Sequence, residues 1–126
     1  MVVNWKIRDM PILTLTVSPA LVEPLTLVAD DVADHLLGII REHLAPRAGT
    51  EQIMFVPALG VVRGCALLAK LEHRASESRS MEIRKACADA IAHYLAQKFA
   101  TSVRVRLIAL DPQNIGASDI GVEAGL

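Results

Sequence analysis

The sequence predicts an α/β (α+β) domain in which two βαβ units form a four-stranded sheet with two helices on one face. Three observations predict it. Short runs of β-forming residues alternate with long helical patterns. The order strand, helix, strand occurs twice, offset by roughly 53 residues, as a repeat of element order rather than of residue identity. The 126 residues suffice for one compact domain with a real core. A βαβ unit makes its two strands parallel and lays its helix across one face, so two units place both helices on the same side. The other face is left bare. Its Leu, Ile and Val side chains predict burial against partner subunits.

Each element has a local cause. Residues 11–17, PILTLTV, are a strand that ends at Ser18-Pro19. In the next segment Leu25, Val28, Val32, Leu36, Ile39, Ile40 and Leu44 recur at three and four. This spacing predicts one amphipathic helix from near Pro24 to a stop before Pro46. Residues 51–57, EQIMFVP, form the second strand, followed by turn signals in GVVRG, 60–64. The apolar run CALLAKL, 65–71, is the third strand. Ser76, Ser78 and Ser80 are N-cap candidates for a second helix, whose apolar face includes Ile83, Cys87, Ile91, Leu95 and Phe99. SVRVRLIAL, 102–110, is the fourth strand, stopped by Asp111-Pro112. The domain spans 11–117, between an extension over 1–10 and a Gly-rich tail over 118–126. In the extension Val3, Trp5 and Ile7 alternate with Asn4, Lys6 and Arg8, the pattern of an extra strand.

Composition excludes several functions. Hydrophobic residues make up 52% and aromatics 3%, so base stacking and aromatic cages are not expected. A net charge of −1 provides no field for nucleic acid. No window reaches the ~18 apolar residues of a membrane span, and a signal-peptide core is lacking. The expectation is a cytoplasmic protein that binds neither nucleic acid nor membrane. Cys65 and Cys87 have no metal-ligand spacing and read as small apolar residues. His35 and His43 are too far apart for a metal pair, and His73 and His93 have no obvious companion. Asp30, Asp31 and Asp34 read as a solvated helix face. No phosphate loop, nucleophile elbow or dinucleotide fingerprint occurs.

The Met-Pro pair at 10–11 carries the candidate chemistry. Inside a chain a proline nitrogen is an amide with no proton. At a processed N-terminus it is a secondary amine able to exchange a proton near neutral pH. Pro11 is therefore either a base or a strand-opening proline, according to where the mature chain begins.

Met10-Pro11-Ile12, the duplicated βαβ units, Cys65-Ala66-Leu67 in the third strand and Asn114-Ile115-Gly116 after the fourth resemble the tautomerase superfamily. The likeness is to its macrophage migration inhibitory factor and 5-carboxymethyl-2-hydroxymuconate isomerase branches, over residues 10 to 117. The resemblance implies a homotrimer with sites at subunit boundaries and no cofactor. It implies proton transfer in a small keto-enol or 2-hydroxy-unsaturated carboxylate, with Pro11 as general base. The alternative is an inactive trimer of the same fold, with Pro11 blocked by residues 1–10, that serves as a ligand-binding or interaction module.

The resemblance also implies a set of carboxylate-binding residues. Arg47, before the second strand, reads as a bidentate clamp or as a solvated loop charge. Arg74 and Arg79 flank the loop after the third strand, where the family lines its site. Arg79 reads equally as a first-turn helix residue. Arg106 stands near a pocket tyrosine of the inhibitory-factor branch, a departure that favours an acidic substrate; an intersubunit salt bridge by Arg104 or Arg106 is the other reading. Ile115 lies in the segment that in this family adds a strand to a neighbouring subunit.

Overall fold

Leu13, Leu15 and Val17 are buried while Ile12, Thr14 and Thr16 are partly exposed, and this alternation makes the first strand the centre of the molecule. The computed structural model describes residues 11–60 and 62–122; the expected strand over residues 3–8 lies outside them. The elements are β1 (Ile12–Val17), α1 (Pro19–Leu27), α2 (Ala29–Leu44), β2 (Gln52–Pro57), β3 (Leu67–Arg74), α3 (Met81–Phe99) and β4 (Val103–Leu110), followed by a 3-10 turn at Pro112–Asn114. The four strands form one mixed sheet in the order β2-β1-β3-β4. β1 pairs with β2 in parallel, β3 with β4 in parallel, and β1 with β3 antiparallel. Two βαβ units are thus joined along β1 and β3.

The expected single helix before β2 is two. Pro24 lies inside α1, not at a helix start, and supplies no N–H to the ladder. Thr26 Oγ1 also bonds back to the Val22 carbonyl at 2.6 Å, an arrangement that bends helices. The chain leaves helical geometry at Val28, whose φ is −125°, and resumes in α2. The expected apolar stripe survives the break: Leu25, Val32, Leu36, Ile39, Ile40 and Leu44 are all buried. Pro19 takes the first position of α1, where a missing N–H costs nothing. Among the three serine candidates, Ser80 caps α3, its hydroxyl accepting from the Ile83 N–H at 3.3 Å.

The core lies between the sheet and helices α2 and α3, which pack on each other. Leu13, Leu15, Leu67, Leu71, Leu36, Ile40, Ile91 and Leu95 are its largest members. Burying each such side chain contributes about 1.5–3 kcal/mol. Cys87 belongs to this core, and burial pushes its thiol up to about 12; Cys65 is only partly buried.

The opposite sheet face is more mixed than the expected apolar surface. Strand register sets it out as three lateral rows: Gln52, Ile12, Glu72, Ile108; then Met54, Thr14, Lys70, Arg106; then Val56, Thr16, Leu68, Arg104. Met54, Leu68 and Ile108 are 48%, 39% and 37% exposed. Apart from His73 near the end of β3, the strand residues in phase with the core are apolar, and those out of phase carry the Lys, Glu and Arg side chains.

Candidate functional site at one end of the sheet

β1 and β2 begin, and β3 and β4 finish, at the same end of the sheet. Three connections gather there: the α2–β2 loop with Arg47, the β3–α3 loop with Arg79, and the segment after β4 with Ile115. Pro11 opens β1 at this end and is fully buried, its carbonyl accepting from the Gln52 N–H at 2.9 Å. Arg74 is the last residue of β3 and also stands here, half-buried. Arg106 does not. It lies in mid-strand on the bare face, exposed, beside Lys70, and donates from Nη1 to the Val105 carbonyl at 2.9 Å. Within one chain the fold therefore brings Pro11, Arg47, Arg74, Arg79 and Ile115 to one end and leaves Arg106 apart.

Register identifies the neighbours of Pro11. Ile12 pairs with Gln52 on one side and Glu72 on the other, so one step back Pro11 lies between Glu51 and His73. All three follow the phase of the helix-covered face.

Glu51 is held tightly. Its side chain is 2% exposed, with Oε2 at 2.6 Å from Arg41 Nε of α2 and Oε1 accepting from the Gly49 N–H at 3.1 Å. Burial alone would raise its pKa, but the Arg41 bond and charge together with backbone donors hold it below the ordinary carboxylate value.

His73 is fully buried. Its Nδ1 stands 3.0 Å from the Arg74 carbonyl. A carbonyl only accepts, so Nδ1 carries the proton and Nε2 presents a lone pair. That Nε2 is buried and has no hydrogen-bond partner among the described residues. Burial foremost, opposed by the Arg74 bond and aided by the charges of Arg79 and Arg84, lowers the imidazole pKa and keeps the ring neutral.

Arg79 is 4% exposed and no surface first-turn residue. Its Nε donates to the Leu44 carbonyl at 3.2 Å and its Nη1 to the Arg74 carbonyl at 3.1 Å. The guanidinium thereby satisfies the C-terminal carbonyl of α2, where a cation is favoured. Arg47 is exposed, and its carbonyl accepts from Thr50 Oγ1 at 2.6 Å and from the Thr50 N–H at 3.2 Å. Ile115 is partly buried, its N–H bonded to the Pro112 carbonyl at 3.2 Å.

Sequence reasoning missed Glu51 and His73 as neighbours of Pro11. The signal existed: LLAKLEHR, 67–74, alternates to its end, so His73 shares the phase of Leu67, Ala69 and Leu71. Two other histidines are engaged on the helices. His35 stacks on Tyr94 across α2 and α3 with ring centroids 3.8 Å apart, and His43 bonds through Nδ1 to the Ile39 carbonyl at 2.8 Å.

No family model and no curated protein matches the chain in sequence. Solved structures do match it in fold. A 5-carboxymethyl-2-hydroxymuconate isomerase from Deinococcus radiodurans R1 superposes with a TM-score of 0.70 at 18% identity, covering 93% of this chain and 95% of that one. A macrophage migration inhibitory factor-like protein from Entamoeba histolytica gives 0.62 at 16% identity, over 86% of this chain and 96% of the other. A fused 4-OT symmetric trimer gives 0.65 at 14% identity, over 86% and 92%. At these identities the likeness is one of fold, which the chain shares with these isomerase, inhibitory-factor-like and 4-OT structures.

Proposed function

We propose, for a chain with the tautomerase fold, that the Pro11 end of the sheet moves a proton in a small keto-enol or 2-hydroxy-unsaturated carboxylic acid, without a cofactor. The observation that carries this reading is the position of Pro11, buried at the head of the central strand between Glu51 and His73, with three arginines at the same end. In a chain that begins at Pro11 the nitrogen is a secondary amine. Its lone pair takes the proton from the carbon next to the carbonyl, leaving an enolate, and the resulting ammonium returns it to the other end of the conjugated system. Arg47 and Arg74 are the guanidinium groups that pair with the substrate carboxylate in this reading. Arg79 is committed in part to the carbonyls of Leu44 and Arg74, so its share is to fix the loop that borders the site. Ile115 and Arg106 act across a subunit boundary, in a homotrimer that works in the cytoplasm.

A specific observation favours a second reading. In this sequence Met10 precedes Pro11, and a nitrogen in that bond has no proton to exchange. A chain that keeps residues 1–10 is then a ligand-binding or interaction trimer without proline-based catalysis.

The intact mass of the protein from its native host separates the two. A mass beginning at Pro11, together with ketonisation of 2-hydroxy-unsaturated acids or phenylpyruvate that disappears on Pro11→Ala substitution, supports the enzyme. A mass that retains residues 1–10, with no turnover, supports the binding module.

A further inference from the structure

Among the described residues the buried Nε2 of His73 has no donor, and it stands beside a proline whose nitrogen has no hydrogen to give. These two facts are complementary. The Nδ1–H bond to the Arg74 carbonyl at 3.0 Å fixes the tautomer, so Nε2 can only accept while the ring is neutral. Leaving such an acceptor unmet in a protein interior is unfavourable, and native structures rarely do so without a reason. The strand register carries Pro11 to the position opposite His73 on the same sheet face, where cross-strand neighbours stand about 5 Å apart at Cβ.

We infer that His73 is a positioning residue for Pro11: when the chain begins at Pro11, the proline amine donates a hydrogen to His73 Nε2. The inference rests on the reading of Pro11 as a free amine. The bond would turn the amine toward a fixed direction and favour its protonated form, since the acceptor stabilises N–H and more so N–H⁺. Other charged groups act on the same nitrogen. Glu51, from the loop before β2, also favours the ammonium, with Arg41 of α2 offsetting part of its charge. Arg79, from the β3–α3 loop, and Arg84 of α3 act on the imidazole itself, where their charges add to burial in lowering the His73 pKa. His73 differs from these in being neutral and having a vacant lone pair.

The test reads the two nitrogens directly. The full chain is compared with a chain of residues 11–126, which retains every described strand and helix, by ¹⁵N NMR of His73 and of Pro11. The expected result is that the Nε2 resonance moves upfield when the amine is freed. Pro11 titration in His73→Asn, which keeps a donor for the Arg74 carbonyl but has no group at the Nε2 position, should fall by roughly half a pH unit or more. His73→Gln, which places an acceptor there, should restore it. An unchanged Nε2 resonance, or the same Pro11 titration in wild type and His73→Asn, overturns the inference. If His73→Asn does not fold, the Nε2 comparison between the two wild-type chains decides alone. None of these readouts needs turnover, so an inactive but hydrogen-bonded amine would refute the enzyme reading and leave this one standing.

Discussion

Arg79 and Leu44 are 35 residues apart in sequence and joined by a hydrogen bond of 3.2 Å, from the guanidinium Nε to the last carbonyl of α2. The same guanidinium reaches the end of β3 through the Arg74 carbonyl at 3.1 Å. One buried side chain therefore ties the last residue of a helix to the last residue of a strand at the Pro11 end. Arg79→Met keeps much of the volume and removes the donors. It should destabilise the fold by roughly 1–3 kcal/mol, the cost of leaving buried carbonyls unmet. Arg79→Lys should recover only part of this, because an ammonium lacks the planar fork that spans two carbonyls. Urea unfolding monitored by circular dichroism measures both.

Acid should weaken the protein in two steps of known sign. The folded-state pKa of His73 lies below its ordinary 6.5, so below that pH the unfolded chain binds a proton that the native state resists. The stability from a neutral His73 is complete above about pH 6.5 and is lost as pH falls toward the lower native value. Glu51 is depressed below 4.5, so its contribution is present above that value and is lost as pH falls further through the native pKa. His73→Gln should flatten the urea midpoint as pH falls below 6.5 and leave the more acidic loss intact. Glu51→Gln should remove part of the second loss.

The central strand should tolerate little. Leu15 is 0% exposed and sits between Phe55 on β2 and Ala69 on β3. Leu15→Ala should cost about 2–5 kcal/mol, the range for truncating a leucine in a core that cannot collapse onto the void. Thr14→Ala, on the bare face of the same strand, should cost less than 1 kcal/mol by the usual range for sites away from the core. The difference between their denaturant midpoints checks the assignment of the two faces.

Association should depend on the mixed face. Sedimentation equilibrium should give a mass three times the 13.6 kDa of one chain if the trimer forms. Leu68→Glu places a charge on an apolar residue that is 39% exposed in the single chain, and should lower the mass toward that of a monomer. An unchanged trimer in that variant would move the interface to another surface.

The sequence made the strands legible because charge and apolarity alternate along them: Arg104 and Arg106 mark one phase of β4, Val103 and Val105 the other. It made the helical stripe legible for the same reason at a different period. The break at Val28 was not, because proline is common both at a helix start and at a bend, and only the Thr26 bond to Val22 distinguishes them. The end of β3 was missed because Glu72, His73 and Arg74 are poor strand formers by type, although their spacing follows the sheet. The candidate site was legible as far as Pro11 and the loops around it. Glu51 and His73, 40 and 62 residues away in sequence, became its neighbours only through strand pairing, and no local pattern encodes register.

β1 is the first described strand in the chain and an inner strand of the sheet, flanked on both sides by partners made later. During synthesis its parallel partner emerges with Gln52–Pro57 and its antiparallel partner only with Leu67–Arg74. Until then β1 has, among the described elements, α1, α2 and β2 to lie against. The second half must then seat β3 along the remaining open edge, a contact that closes a long loop and is intrinsically slow. The nascent first half thus holds an adhesive strand edge for the time it takes to make the third strand, and this interval is when the chain is most exposed to mispairing with another copy of itself.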